Sequence, residues 1–256
     1  MESKVWILII LALPVVLFVT NSFVVSPMIY SEKGILFPYF ADYIIIPSVA
    51  MGLTDAEINN YVVMYIWDFY IIIFSIILII LTDVKFADFG FDFSSIKWDV
   101  IIGCLFIIVD IILLTGVIYA SHFIPDYINN FSLSPSKEGV IKNAPAAVGA
   151  KPTLTPRFII LNFILYFFFV GPAEEVFRLF MFIKLEKVGG GVLAFFLSAF
   201  LFGAMHLYGT GFQSINAFVG GLAYNALWLM RGRKIFAPII THGVYDFVIT
   251  LLPFFI

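Results

Sequence analysis

Charged residues are scarce in this sequence. Asp, Glu, Lys and Arg make up only 12% of the 256 residues, whereas an ordinary soluble domain has about 25%. Hydrophobic residues make up 62%, and the mean hydropathy is +1.07. This composition excludes an ordinary soluble domain and indicates that lipid is the solvent. The net charge of -3 offers no basic surface for nucleic acid, so we expect no nucleic-acid partner.

Cysteine and the features of a cleavable signal are also scarce. The one cysteine, Cys104, lies inside an apolar run, which excludes an intramolecular disulfide and is typical of a small core residue. Near the N-terminus, the apolar run 5–19 is longer than the core of a signal peptide, and no small-x-small cleavage site follows it. We therefore expect this run to be retained as the first helix.

Long continuous apolar segments dominate the rest of the chain. A helix needs about 20 apolar residues to cross a bilayer, whereas the strands of a β-barrel alternate in polarity. Seven candidate spans occur at 5–25, 61–81, 100–120, 158–183, 191–208, 212–230 and 235–256. An eighth apolar stretch, 35–53, contains two prolines and an aspartate, which favours a re-entrant or interfacial segment. The sequence predicts an all-α, polytopic integral membrane helix bundle of seven or eight transmembrane helices, which we expect in the cell membrane.

One long polar segment divides the chain. Residues 124–156 are rich in Asn, Ser, Pro and Lys, which indicates an exposed loop. We predict N-terminal transmembrane helices at 1–123, the polar loop at 124–156, and a catalytic four-helix membrane core at 157–256. With seven spans and a cytoplasmic N-terminus, eight of the 14 basic residues face the cytoplasm and five face the other side, as the positive-inside rule requires.

Ionisable residues at membrane depth are the main functional candidates. Each costs several kcal/mol unless it is paired or hydrated. Six stand in the C-terminal core: Glu174, Glu175, Arg178, His206, His242 and Asp246. By contrast, Asp68 and Asp110 each stand alone in their spans, and we interpret them as helix-packing or snorkelling residues.

Helix geometry predicts that the six residues lie at a similar depth. A turn at 184–190 joins two spans; Glu174 precedes Lys187 by 13 residues, and His206 follows Gly190 by 16 residues. At the rise of a helix they lie about 20 and 24 Å from this turn, on antiparallel spans. His242 and Asp246 lie about 14 and 20 Å from the basic turn that precedes them, on the same membrane side. We therefore predict one site.

The two adjacent glutamates share one arginine. Arg178 stands three residues after Glu175 and four after Glu174, and both spacings put it on the same helical face as a carboxylate. One glutamate can be neutralised by Arg178, and the other remains available as a general base or acid. The spacing does not decide which glutamate binds Arg178 and which is the general base or acid.

Three motifs occur in order on these apolar spans. They are Glu174-Glu175-x-x-Arg178, Phe202-x-x-x-His206 and His242-x-x-x-Asp246. Together they resemble the motifs of the CAAX protease and bacteriocin-processing family, an intramembrane group that includes the type II CAAX prenyl endopeptidases. The resemblance covers residues 158–247, about a third of the chain.

The resemblance implies hydrolysis of a peptide bond within the membrane. A glutamate and His206 would activate water, and His242 and Asp246 would orient it or stabilise the oxyanion. The family has three residues between its second glutamate and the arginine, whereas two stand here. If one spacer is missing, Glu174 is the base and Glu175 holds the arginine. In an ungapped register, Ala173 stands at the first glutamate, Glu174 holds the arginine, and Glu175 is a substitute base or only structural.

Partners and alternatives follow from the same residues. The resemblance implies membrane lipid and a peptide or prenylated protein as partners, with no cofactor. A zinc ion bound by Glu174, His206 and His242 is a second enzymatic alternative, because these are ordinary zinc ligands. A transporter or an immunity protein, in which the same cluster relays protons or binds a partner, is the non-enzymatic alternative.

Overall fold

The protein is a bundle of helices. The computed structural model describes residues 2–20, 55–125, 154–208, 211–252 and 255, and these ranges contain no strand. Their α-helices are α1 Glu2–Thr20, α2 Asp55–Ile80, α3 Ile96–Ser121, α4 Pro156–Leu165, α5 Gly171–Met205, α6 Gly211–Met230 and α7 Phe236–Leu251. The predicted all-α class is confirmed for this part of the chain. The apolar stretch 35–53 and most of the predicted loop 124–156 lie outside the described residues.

Two of the described helical segments are long and apolar enough to cross a membrane. By length and composition these are Phe86–Ser121 and Pro156–Met205. Shorter apolar helices cover Val5–Leu17, Trp67–Ile80 and Phe236–Leu251. The seven predicted segments are therefore largely helical where they are described, while their number of membrane crossings stays a prediction.

The first span of the C-terminal core contains a π-helical turn. Thr155 caps α4 with its side chain, which accepts a backbone hydrogen bond in the first turn. Residues Tyr166–Val170 form the π turn, and Gly171 follows with helical dihedral angles of φ -53° and ψ -52°. The chain therefore continues into α5 through a widened turn, and the Gly171-Pro172 pair does not break the helix.

Gly190 divides α5 into two halves. Its φ of 81° and ψ of 169° form a backbone conformation that glycine adopts readily and other residues do not. In one continuous helix, Glu174 and His206 would be about 48 Å apart, whereas their side chains approach to 3.5 Å. The two halves of α5 therefore fold back on each other, as the sequence predicts.

Charged turns gather at one end of the bundle. Ion pairs that lie there include Lys184–Asp83 at 2.5 Å, Arg231–Asp99 at 2.7 Å, Arg233–Glu186 at 2.7 Å and Lys234–Asp92 at 2.8 Å. Hydrogen bonds from Lys184 and Lys187 lower the pKa of Asp83 to about 2. The start of α1 lies at this end too, because the Lys184 ammonium is 3.8 Å from the ring centroid of Trp6. We call this the charged end.

Small residues allow α7 to pack closely against α3 and α5. A Cβ atom on Gly103 of α3 would lie 2.9 Å from the carbonyl oxygen of Ala237. A Cβ atom on Gly171 would lie 2.9 Å from the carbonyl oxygen of Ile239. These backbone approaches hold α7 against the start of α5, so His242 of α7 lies beside the two glutamates.

Candidate active site

Glu175 and Arg178 form a buried, bidentate ion pair. Both side chains are 0% exposed; Arg178 Nη2 donates to Oε2 of Glu175, and Nε donates to Oε1 at 3.3 Å. Asn225 of α6 accepts from Arg178 Nη1. The amide of Asn225 in turn donates to the Phe195 carbonyl at 2.8 Å and to the Ser198 hydroxyl at 2.9 Å. The pair thus joins both halves of α5 to α6, and its charges are satisfied locally.

Glu174 faces the two histidines. Its Oε2 atom lies 3.5 Å from Nε2 of His206 and 3.6 Å from Nε2 of His242. This oxygen is buried, and it has no hydrogen-bond partner among the residues that the structure describes. Adjacent residues point about 100° apart on a helix, which explains why Glu174 and Glu175 have different neighbours. The arrangement corresponds to the register in which one spacer is missing from the motif.

A backbone contact orients His206. Its Nδ1 atom lies 2.9 Å from the carbonyl oxygen of Phe202. Because a carbonyl oxygen only accepts, Nδ1 carries a proton, and Nε2 of the neutral ring is left as an acceptor. In that neutral form, Nε2 and the Glu174 oxygen are two acceptors 3.5 Å apart, and a donor beside them can hydrogen-bond to both. A water molecule would be such a donor and would be held by two bases.

His242 lies among three carboxylates. Its Nδ1 atom is 3.1 Å from Glu175 Oε1, and its Nε2 atom is 3.3 Å from Asp246 Oδ2 and 3.6 Å from Glu174 Oε2. Both ring nitrogens are placed to donate, because carboxylate oxygens only accept. Tyr224 stacks on the ring, with centroids 5.1 Å apart, and restricts its movement. His242 is therefore a rigid hydrogen-bond donor next to Glu174.

All six predicted site residues lie together in the structure. Three stand at the start of α5, one follows the end of α5, and two lie on α7. The side chains of His206 and Asp246 are 29% and 25% exposed, whereas the two glutamates and the arginine are buried. The site is therefore enclosed on the arginine side and open on the side of His206 and Asp246.

Two aspartates from the N-terminal helices also lie near this site. Asp110 of α3 is within electrostatic range of His242 and Asp246, and Asp68 of α2 is within range of Glu174 and Asp246. They are therefore not isolated, contrary to the interpretation from sequence. Helix rise gives the signal that could have found them, because it puts both about 17 to 22 Å from the charged end, near the depth of Glu174.

Sequence reasoning also missed Tyr224 and Asn225. Both are buried on α6; Tyr224 stacks on His242, and Asn225 binds Arg178. Neither side chain carries a charge at neutral pH, so a search for ionisable residues at membrane depth passes over them. Their adjacent positions on one helix give no periodic signal either.

The zinc alternative finds no support in the arrangement of the side chains. Among the described residues, no group of three His, Cys, Asp or Glu side chains is arranged to hold a metal ion. The three ligands considered for zinc, Glu174, His206 and His242, converge but do not form such a group. The zinc alternative therefore stays a hypothesis, which a chelator can test.

Comparison with known protein families shows a resemblance in the C-terminal core. Residues 156–248 match a family model described as Rce1-like, type II CAAX prenyl endopeptidase. The matched segment is a little over a third of the chain and contains all six predicted site residues. The resemblance predicted from the motifs is thereby confirmed, and it is a resemblance to membrane-embedded proteases. No curated protein and no solved structure gives a significant match.

Proposed function

We propose that this protein is an intramembrane endopeptidase in which Glu174 and His206 activate a water molecule. The observation that carries the proposal is the buried Glu174 oxygen, which lacks a hydrogen-bond partner among the described residues and lies within 3.6 Å of two imidazole nitrogens. The match of residues 156–248 to a type II CAAX prenyl endopeptidase model supports peptidase chemistry in this segment.

The proposed reaction begins with water held by Glu174 and His206. Glu174 accepts a proton from the water, and the water oxygen attacks the scissile carbonyl carbon. The negative charge that develops on the carbonyl oxygen receives a hydrogen bond from Nε2 of His242. Asp246 keeps that ring oriented. The proton then passes to the leaving nitrogen, and the carbon–nitrogen bond breaks.

In this proposal, Glu175 positions His242. It is bound to Arg178 and also lies 3.1 Å from Nδ1 of His242. A carboxylate that already accepts these hydrogen bonds is a poor base. It can instead fix the imidazole ring whose other nitrogen faces the reaction. The Glu175–Arg178–Asn225 network therefore supports the site without contacting the substrate.

In this proposal, the protein lies in the cell membrane and crosses it seven times. Trp6 at the start of α1 and Asp83 after the end of α2 both contact Lys184. The seven-span arrangement puts two membrane crossings between Trp6 and Asp83. An even number of crossings returns the chain to the same side of the membrane, which agrees with their shared contact. The proposed substrates are membrane-bound peptides or proteins, with prenylated CAAX proteins as the first class to test.

A cleavage assay tests the proposal. The purified protein would be incubated in detergent with a prenylated CAAX peptide and with its unprenylated counterpart, and products would be identified by mass spectrometry. We expect cleavage of the prenylated peptide, and we expect a metal chelator to leave its rate unchanged. Folded protein that cleaves neither peptide would contradict the proposal. Loss of cleavage with chelator and recovery with Zn²⁺ would favour the zinc alternative.

A further inference from the structure

Asp110 and Asp68 are buried carboxyl groups to which no basic side chain among the described residues donates a hydrogen bond. Asp110 is 4% exposed; the hydroxyl of Tyr224 lies near its carboxyl group, and no basic side chain among the described residues donates a hydrogen bond to it. Asp68 is 1% exposed, and its Oδ2 atom is without a partner in the described part of the chain. Burying a carboxylate without a basic partner is costly, so a pair of such groups beside a reaction site indicates a ligand that completes them.

The packing of α3 on α7 directs Asp110 toward the site. Both helices begin at the charged end, where Arg231 binds Asp99, so they run in the same direction. Their backbones approach closely at Gly103 and Ala237. Asp110 follows Gly103 by seven residues, which is two turns on the same face. It therefore comes level with residues 242–246, the segment of α7 that carries the third motif.

The acidic groups around the site outnumber the basic groups. Five carboxyl groups, Asp68, Asp110, Glu174, Glu175 and Asp246, face one arginine and two histidines. Glu175 is already paired with Arg178. Even if both histidines were charged, the acidic groups would outnumber the cations. Asp68 and Asp110, which have no basic hydrogen-bond partner among the described residues, make up this surplus and favour a cationic ligand.

We propose that Asp110 and Asp68 form a subsite for the ammonium group of the leaving peptide fragment. This inference rests on the proposed peptidase function. Hydrolysis breaks the carbon–nitrogen bond and forms a carbon–oxygen bond with water. The leaving nitrogen takes one proton from that water and a second from the new carboxylic acid, which becomes a carboxylate. The resulting ammonium group forms in a water-poor site and needs a negative partner.

Product-like peptides test the subsite. The probes are the tripeptide Val-Val-Leu with a free amino terminus and the same tripeptide with an acetylated amino terminus. At about pH 6.5 the free amino group is mostly protonated. We expect the free form to inhibit cleavage at least about tenfold more strongly than the acetylated form, since charge-assisted hydrogen bonds are worth this factor or more.

Substitutions assign the effect to the two aspartates. Asp110→Asn and Asp68→Asn should each reduce the preference for the free amino terminus to about twofold or less, because the amide carries no charge. Asp83→Asn is the matched control, since Asp83 lies at the charged end with 64% of its side chain exposed. That variant should keep the wild-type preference.

The outcomes separate the subsite from the peptidase activity. If wild-type protein cleaves its substrate but both tripeptides inhibit equally, the subsite is contradicted and the peptidase proposal stands. A preference that survives in both aspartate variants assigns the ammonium group to another residue and also overturns the inference. Absence of cleavage by folded wild-type protein overturns both proposals. The wild-type comparison decides the question even if one variant does not fold.

Discussion

Glu174 and Glu175 are neighbours in the chain but have different partners. Glu175 binds Arg178 and His242, whereas the buried oxygen of Glu174 has no hydrogen-bond partner among the described residues. The difference arises because successive helical residues point about 100° apart. A carboxylate that is held by an arginine and a histidine stabilises the site, and a carboxylate that remains open can accept a proton.

Removing the charge of Glu175 should destabilise the protein. Glu175→Gln leaves the guanidinium of Arg178 buried and partly unpaired, so we expect a loss of about 3–5 kcal/mol in the free energy of unfolding. The matched control is Glu186→Gln, which breaks the exposed pair with Arg233 and should cost less than about 1 kcal/mol. Denaturant unfolding in detergent measures both. Equal stability of the two variants would contradict a structural role of Glu175.

The division between the two glutamates could not be predicted from spacing alone. Spacings of three and four residues both put Arg178 on the face of a carboxylate, so the sequence left two registers open. The deciding contacts come from other helices, namely Asn225 on α6 and His242 on α7. Only tertiary packing specifies which face of α5 these side chains meet.

At the scale of helices, close packing of α7 on the start of α5 builds the site. Gly171 has no side chain, and a Cβ atom there would meet two backbone oxygens, those of Ile239 at 2.9 Å and Tyr166 at 3.1 Å. Backbone atoms cannot move aside as a flexible side chain can. The distance between His242 and the glutamates therefore depends on this glycine.

A methyl group at Gly171 should separate the two helices. We expect Gly171→Ala to lower the free energy of unfolding by about 1–3 kcal/mol and to reduce cleavage, because His242 moves away from Glu174. Gly116→Ala is the control, since nothing lies within 4 Å of a Cβ atom at that helical position. Alanine there should be neutral or stabilise by up to about 1 kcal/mol. Similar losses in both variants would refute the importance of the close contact.

The positions of the helices in the chain were largely predictable from the sequence, whereas the neighbours that each helix face packs against were not. Continuous apolar runs identify the helices because a spanning segment satisfies its backbone internally. The similar depth of Glu174 and His206 could be predicted by counting residues from the turn near Gly190 and applying the helical rise per residue. The sequence did not reveal the π turn at Tyr166–Val170, nor that Asp68 and Asp110 face the site. Those features depend on how separate helices rotate and pack.

At the scale of the whole molecule, charge separates the two ends of the bundle. Ion pairs at the charged end join the turns after α2 and α6 and the turn within α5. Charged groups avoid the apolar middle because their transfer into lipid is unfavourable. The basic turns that the positive-inside rule assigns to the cytoplasm thus lie together, which favours one orientation in the membrane.

Cysteine labelling tests this orientation. In a Cys104→Ser background, single cysteines would be introduced by Lys85→Cys at the charged end and by Phe123→Cys after α3, where the side chain is 72% exposed. We expect a membrane-impermeant maleimide added to intact cells to label the second and not the first. Detergent-solubilised protein, the control, should label at both positions. Labelling of both cysteines from outside would contradict the proposed orientation.

The central claim is that Glu174 is the base that activates water, and Glu174→Gln tests it most directly. The amide keeps the size of the side chain but cannot accept the proton from water. We predict that kcat/KM for peptide cleavage falls at least about a hundredfold, while the unfolding midpoint changes little, because Glu174 holds no arginine. Cleavage at the wild-type rate by folded Glu174→Gln protein would contradict the claim.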